Sequence, residues 1–420
     1  MKFVEISRNL AKYLFILLPF FLLTGNFLSD LAIVIIALFF LIEVFLKKKF
    51  FLFKDKIFLF LFCIYISLIS IFSENKKSSM IASFFYIRFP IFALAVSYYL
   101  EEEKKLINYF FYILLFSIII LSIDLYVQRI FFIDLIGNYA QFDFDIETFE
   151  KYYTGRFSGF FGEELIAGSY LARLFPIVLI LFFYINLKKK KYVKFKIIFL
   201  FAVVLLAILI TSERTALAMF LLSFLLFIFI VKKYRYFFIQ LFFVLLIFCS
   251  FFIYNNSYTK SRYFEELKNK TFYSQGKFYI FSKGHHSHIV SAYAIFKDNF
   301  FFGVGLKNYR VYCLKPKYYL DKDSCITHPH NIPIQFLAET GIIGFSFYFF
   351  ALLYLIKSLF LNMLKVDFTN KKNYLKLMSI PLLINLFPFF PSGNFFHNWL
   401  SVLTYLPLGL YFLAFRKKFK

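Results

Sequence analysis

The sequence predicts an all-α fold: a polytopic membrane protein with about twelve transmembrane helices and one large helical outer loop. Three observations predict it. Hydrophobic residues make up 61% of the chain, where soluble domains average about 45–50%. Apolar runs of about 20 residues, long enough to cross a ~30 Å hydrocarbon core as helices, recur along the whole length. The runs are continuous, whereas barrel strands would alternate over about ten residues. Because lipid offers backbone polar groups no partner, continuous apolar runs must become helices.

In chain order, the run at 12–27 lacks a small-residue cleavage site and passes straight into 29–46, so it reads as a retained span rather than a leader. The basic cluster from Lys47 to Lys56 separates these from spans at 57–73, 81–100 and 106–127. An outer loop, 128–163, leads to spans at 164–186, 195–211, 213–231 and 236–254. Residues 1–254 thus hold the first nine helices. The stretch 255–332 is a second, larger outer loop, and 333–420 holds the remaining three, at 333–356, 375–390 and 395–415.

The formal net charge of +24 is distributed as a topology signal rather than as a nucleic-acid surface. With the N-terminus in the cytoplasm, the inner segments carry the Lys47–Lys56 cluster, LKKKKYVKFK (187–196), VKKYR (231–235) and RKKFK (416–420). The short outer loops hold only Lys76, Lys77, Arg129, Lys151 and Arg156. Positive residues of short loops stay cytoplasmic, so both termini are expected inside. All six histidines, His285, His286, His288, His328, His330 and His397, then fall on the outer face. Core histidines would scatter over both faces, so this clustering points to chemistry.

Within the large loop, HIVSAYAIFKDNFFFGVGL (288–306) reads as a helix ending near Asn299, followed by a turn in which Gly303 and Gly305 can adopt φ > 0. Cys63 and Cys249 lie inside spans. Cys313 and Cys325 share the outer loop, where an oxidising compartment favours a disulfide. A zinc site joining them to His328 and His330 matches no standard ligand spacing. Arg88, Arg173 and Arg214 lie within spans, where an arginine costs at least ~2.5–3.5 kcal/mol and normally faces a partner or a wet cavity. At 1.5 Å per residue, Arg88 and Arg173 sit ~10–15 Å deep and Arg214 at the surface. Asp124, Glu163, Glu164, Glu213 and Glu339 share that outer half. A basic hollow there suits an anionic lipid headgroup, because the planar guanidinium donates paired hydrogen bonds to phosphate.

Four stretches carry a family resemblance. His330-Asn331, nine intervening residues, then Gly341 and Gly344 form an H-N-x9-G-x-x-G pattern. It resembles the signature of the O-antigen ligase family, whose relatives include the O-antigen polymerases. RFSGFFGEELIAGSYLA (156–172), TSERTAL (211–217) and AYAIFKDNFFFGVGLKNYR (292–310) resemble the family's other motifs, in the same order. The resemblance implies a metal-independent, cofactor-free glycosyl transfer at the periplasmic face of the inner membrane, from an undecaprenyl-pyrophosphate-linked glycan to a lipid A-core or other glycan acceptor. It also implies a helical periplasmic loop over an all-helical bundle.

Under that resemblance His330 is the catalytic base, since a neutral imidazole can take a sugar hydroxyl's proton near pH 7. Arg214 is a donor-pyrophosphate arginine, with Arg88 and Arg173 in the same basic hollow. The family's second loop arginine is replaced by histidines in KGHHSHIVSAY (283–293), leaving His286, Arg262 and Arg310 as candidates for its charge. Around the base, Pro329 holds His328 extended, and Asn331 can cap the next span. Gly341 and Gly344 would let a neighbouring helix approach, and Glu339 should meet a buried arginine. Two other functions compete. A polymerase would use the same donor. A transporter would show matched broken helices around a midplane site, and no such symmetry is present.

Overall fold

The computed structural model describes residues 2–140, 142–144, 151–153, 156–186, 192–265, 273–274, 277–365 and 370–415. The basic stretches 187–191 and 416–420 lie outside them. The architecture is a helical membrane bundle. Among the described residues, eight helices are long and apolar enough to cross a bilayer, and Arg214–Ile230 is a shorter apolar one. Strand structure is confined there to two short hairpins, Phe142–Phe144 with Lys151–Tyr153 and Tyr273–Ser274 with Lys277–Phe278.

The first half comprises α1 (Lys2–Phe21), α2 (Asn26–Leu46), α3 (Ile57–Ile71), α4 (Lys76–Phe84), α5 (Arg88–Glu102) and α6 (Lys105–Phe131). Then come α7 (Ala167–Ile185), α8 (Val193–Thr211), α9 (Arg214–Ile230) and α10 (Arg235–Asn255). The large loop contributes α11 (Lys283–Asp298). The chain then runs through α12 (Ile332–Lys365), α13 (Lys371–Lys376), α14 (Ser379–Asn385) and α15 (Asn398–Phe415). Helix α7 is the bundle's centre, buried along nearly its whole length, and α5 is almost as enclosed. Helix α15 packs against α5 and α2, and the Trp399 indole donates to the Leu22 carbonyl at 3.2 Å.

One end of the bundle is an ion-pair network. Arg8 and Lys47 both contact the nearly inaccessible Glu43, the Tyr98 hydroxyl donates to it at 2.8 Å, and Lys12 pairs with Glu103 at 2.8 Å. The start of α1 and the ends of α2 and α5 therefore share one end, and the histidines lie at the other.

Two expected spans take a different form. The stretch at 375–390 is not one continuous helix but the pair α13 and α14, and helix is lost after Asn385. Pro388 and Pro391 lack the N–H a helix needs and clash with the preceding turn. Span 333–356 is broken at Gly341, whose φ of 63° and ψ of −171° are non-helical. The break frees backbone groups, and the large loop satisfies them. Ile342 donates to the Phe300 carbonyl at 2.8 Å, while Val304 and Gly305 donate to the carbonyls of Ala338 and Glu339 at 3.0 and 2.9 Å. Broken helices survive at membrane depth only with such partners. The approach needs glycine on both sides. A Cβ on Gly341 would lie 2.3 Å from the Phe301 oxygen, and one on Gly303 would lie 2.5 Å from the backbone of Glu339 and Thr340. Gly341 thus admits a loop backbone rather than the helix the sequence suggested.

The loop carries a small core of its own, Ala292, Ile295, Val304, Tyr309, Cys313 and Tyr318, closed against Ala338 of α12. Cys313 and Cys325 are joined there, with Cα atoms 5.3 Å apart. Deeper in the bundle, an apolar cavity of about 580 Å³ runs between α3, α12 and α15, walled by Phe62, Phe336, Phe347 and Tyr405 and reaching Lys56.

Candidate active site

Four imidazoles meet above the start of α12. The His330 ring lies 4.2 Å from His328, 5.4 Å from His285 and 5.7 Å from His288, centroid to centroid. His285 and His288 stand on α11, whose start Ser282 caps by accepting from the His285 amide. Spacing of three residues puts both on one face of that helix. The helix begins five residues earlier than the sequence reading, which started it at His288. That is why two members of the site were missed: HHSH read as a helix already selects the first and last histidines. His286, the expected phosphate partner, is turned about 100° away. Its ring packs on Tyr279 at 5.6 Å, and its Nδ1 accepts from the Ile280 amide.

His330 is held in an unusual backbone state, with φ 52°. The left-handed region costs a non-glycine residue roughly 1–2 kcal/mol, and two contacts hold it there. The Ser392 amide donates to the His330 carbonyl at 2.9 Å, and His330 Nδ1 lies 3.2 Å from the Ser392 carbonyl. A carbonyl can only accept, so Nδ1 carries the proton and Nε2 keeps its lone pair, the tautomer a base requires. Asn331 follows as cap: its Oδ1 accepts from the Ile334 amide at 3.2 Å, and its Nδ2 donates to the Pro388 carbonyl at 2.9 Å.

Burial keeps the quartet uncharged. It lowers His330, with the Ser392 carbonyl acting in the opposite direction. Burial, His330, His288 and Arg214 push His285 down to about 4. Burial, His330, Arg310 and His288 push His328 down to about 3. His288 is also lowered by burial and His330, against the pull of Asp323 and Asp321. These influences place Arg214 on the His285 side and Arg310 on the His328 side. Among the described residues, no three His, Cys, Asp or Glu side chains are grouped to hold a metal ion.

Arg214 owes its position to its neighbour. Glu213 accepts from the amides of Gly168 and Ser169 at 2.7 and 3.2 Å, which caps α7 and ties it to the start of α9. Gly168 permits this, since a Cβ would lie 2.6 Å from Thr211 Oγ1. Two motifs distant in sequence are thereby one structural unit.

The other arginines sit in separate networks. Arg88 pairs with Asp30 at 2.7 Å and donates to Asn398 at 2.9 Å. Arg173 donates to Asn385 at 2.7 Å and Ser169 at 3.1 Å. Both therefore join helices, Arg88 linking α5 to α2 and α15 and Arg173 linking α7 to α14. Glu339 accepts from Gln335 at 3.0 Å and faces the Lys307–Tyr309 turn, with Arg310 in electrostatic range. Gly344 packs near Tyr65 of α3, whose hydroxyl donates to the Thr340 carbonyl at 2.6 Å.

The site therefore joins four buried imidazoles, with Arg214 acting on His285 and Arg310 on His328, at one end of a helical bundle with several apolar helices long enough to cross a membrane. Residues 199–349 match the family model described as O-antigen ligase. The match spans α8 through α12, and includes Arg214, all four clustered histidines and the broken helix. No curated protein matches the chain.

Proposed function

We propose that the protein is an O-antigen ligase of the inner membrane, with twelve crossings, cytoplasmic termini and a periplasmic site. It transfers a glycan from undecaprenyl pyrophosphate to a lipid A-core saccharide. The observation that carries this reading is His330 Nε2, left with its lone pair in a cluster whose neighbouring imidazoles, His285 and His328, feel the charges of Arg214 and Arg310, within the stretch that matches the family model. In the proposed step the acceptor hydroxyl gives its proton to His330 as its oxygen bonds the anomeric carbon. The bond from that carbon to the diphosphate oxygen breaks, and the electron pair leaves with the diphosphate. The two arginines meet the developing charge, the kind of preorganised stabilisation that dominates such reactions. The apolar cavity beside Phe336 supports the reading, because it offers an isoprenoid tail a path into the bundle.

Two measurements test this. Purified protein in vesicles without any ion gradient should transfer labelled glycan; a transporter would not. In a deletion strain, loss of every glycan-capped lipopolysaccharide species fits a ligase, whereas a cap of a single repeat would reassign the protein as a polymerase.

A further inference from the structure

The quartet contains more imidazole than a single base requires, and two of its nitrogens are unsatisfied. His288 Nδ1 and His328 Nε2 are both out of solvent with no partner at hydrogen-bonding geometry, although the Ser324 and Ser392 backbones lie near enough to act on the two rings. A buried polar atom left so is destabilising, and such atoms in native structures commonly await a ligand or ordered water. Three other ring nitrogens have partners: His285 Nδ1 is 2.6 Å from Ser282 Oγ, His328 Nδ1 is 2.9 Å from Thr327 Oγ1, and His330 Nδ1 faces the Ser392 carbonyl. The groups around the cluster carry both signs. Arg214 lies beyond His285 and Arg310 beside His328, while Asp321 and Asp323 act on His288 from the turn beyond α11. Asp321 is itself held by the Ser287 hydroxyl at 2.7 Å. His288 is thus the one imidazole of the four that carboxylates help to charge.

We propose that His288 and His328 form a diphosphate-binding site, and that His288 binds the donor's diphosphate by taking up one proton from solvent. The proposal rests on the transfer reading above and adds to it the group that supplies the missing loop cation. Without ligand, the buried ring stays neutral. With a doubly charged diphosphate against it, the protonated form gains a charge-assisted hydrogen bond and a counter-ion together. A resident arginine would bind at any pH; this site binds best in mild acid and weakens as pH rises.

The test uses the full-length protein in nanodiscs with a short-chain polyprenyl-diphospho-N-acetylglucosamine, a diester whose phosphates have no proton that titrates near neutrality. Calorimetry in buffers of different ionisation heat counts protons taken up on binding. Wild type should take up about one proton near pH 7, and its affinity should fall by up to about tenfold per pH unit above that. His288→Gln should bind more weakly with uptake near zero. His288→Arg, which carries a permanent charge, should bind without uptake and without the pH dependence. His286→Gln should match wild type, and His330→Gln should keep uptake while losing transfer. Binding without uptake in the wild type, or uptake that survives in His288→Gln and His288→Arg alike, overturns the proposal and leaves the transfer reading standing. No binding at any pH overturns both.

Discussion

At the scale of the residue, His330 gathers three unrelated constraints: a left-handed backbone, a tautomer set by the Ser392 carbonyl, and a ring enclosed by three others. Loss of a general base commonly costs 10²–10⁴-fold in rate. His330→Ala should therefore fall furthest in glycan transfer, compared with His397→Ala at matched membrane levels. The sequence pointed to this histidine through its H-N-x9-G-x-x-G spacing, and to His328 by adjacency. The same spacing does not select His285 and His288, which share a face only because the helix already begins at Lys283. The roles of Arg88 and Arg173 were illegible for another reason: Asp30, Asn398 and Asn385 become partners only through the fold.

Acid sensitivity also belongs to single residues. Each quartet imidazole has a folded-state pKa below its ordinary 6.5. Between those folded values and 6.5 the unfolded chain binds more protons than the folded one, so stability rises with pH. The contribution is complete above about 6.5 and is lost as pH falls toward the lowered values, about 4 for His285 and about 3 for His328. Thermal unfolding of the ligand-free protein should move to lower temperature between pH 7 and pH 5. His285→Gln should flatten that dependence, and an unchanged slope in the variant would remove His285 from the effect.

At the scale of the element, α12 works because it is broken. Gly341→Ala must place a Cβ 2.3 Å from the Phe301 oxygen at a φ that alanine disfavours, so the loop has to separate from the helix. The variant should lose at least about 2 kcal/mol of stability and most transfer activity, read by thermal unfolding and by turnover. The sequence announced the glycine but not its partner, since a pattern of small residues serves a helix, a loop or a turn equally. The disulfide acts on the same loop from its other side. Closing a loop of this length contributes roughly 3 kcal/mol, so Cys313→Ser should make the loop more susceptible to protease than wild type. Thiol labelling after denaturation without reductant should leave both cysteines unlabelled; free reaction of both would refute the bond.

At the scale of the whole molecule, hydrophobic run length revealed the membrane bundle but not where helix stops within a run, because Pro388 and Pro391 interrupt helix where hydropathy continues. The bundle is also closed non-locally. Helix α15 covers α5, Asn398 completes the shell of Arg88, and Trp399 reaches Leu22. A chain stopped after residue 397 should therefore insert yet lack a native core, seen as loss of transfer and rapid proteolysis beside a full-length control.

That closure sets a schedule for biosynthesis. Helix α5 leaves the ribosome long before its cover does, and nearly 300 residues separate Glu102 from Asn398. At 5–20 residues per second the interval is roughly 15–60 s. Throughout it the face of α5 awaiting α15 must be held by lipid or by an insertion chaperone, and Arg88 has Asp30, the Phe85 carbonyl and the Phe89 ring as partners but not yet Asn398. Translation rate, and not only sequence, thus becomes a determinant of yield. Slowing synthesis downstream of α5 lengthens the period in which a half-built bundle is open to quality-control proteases.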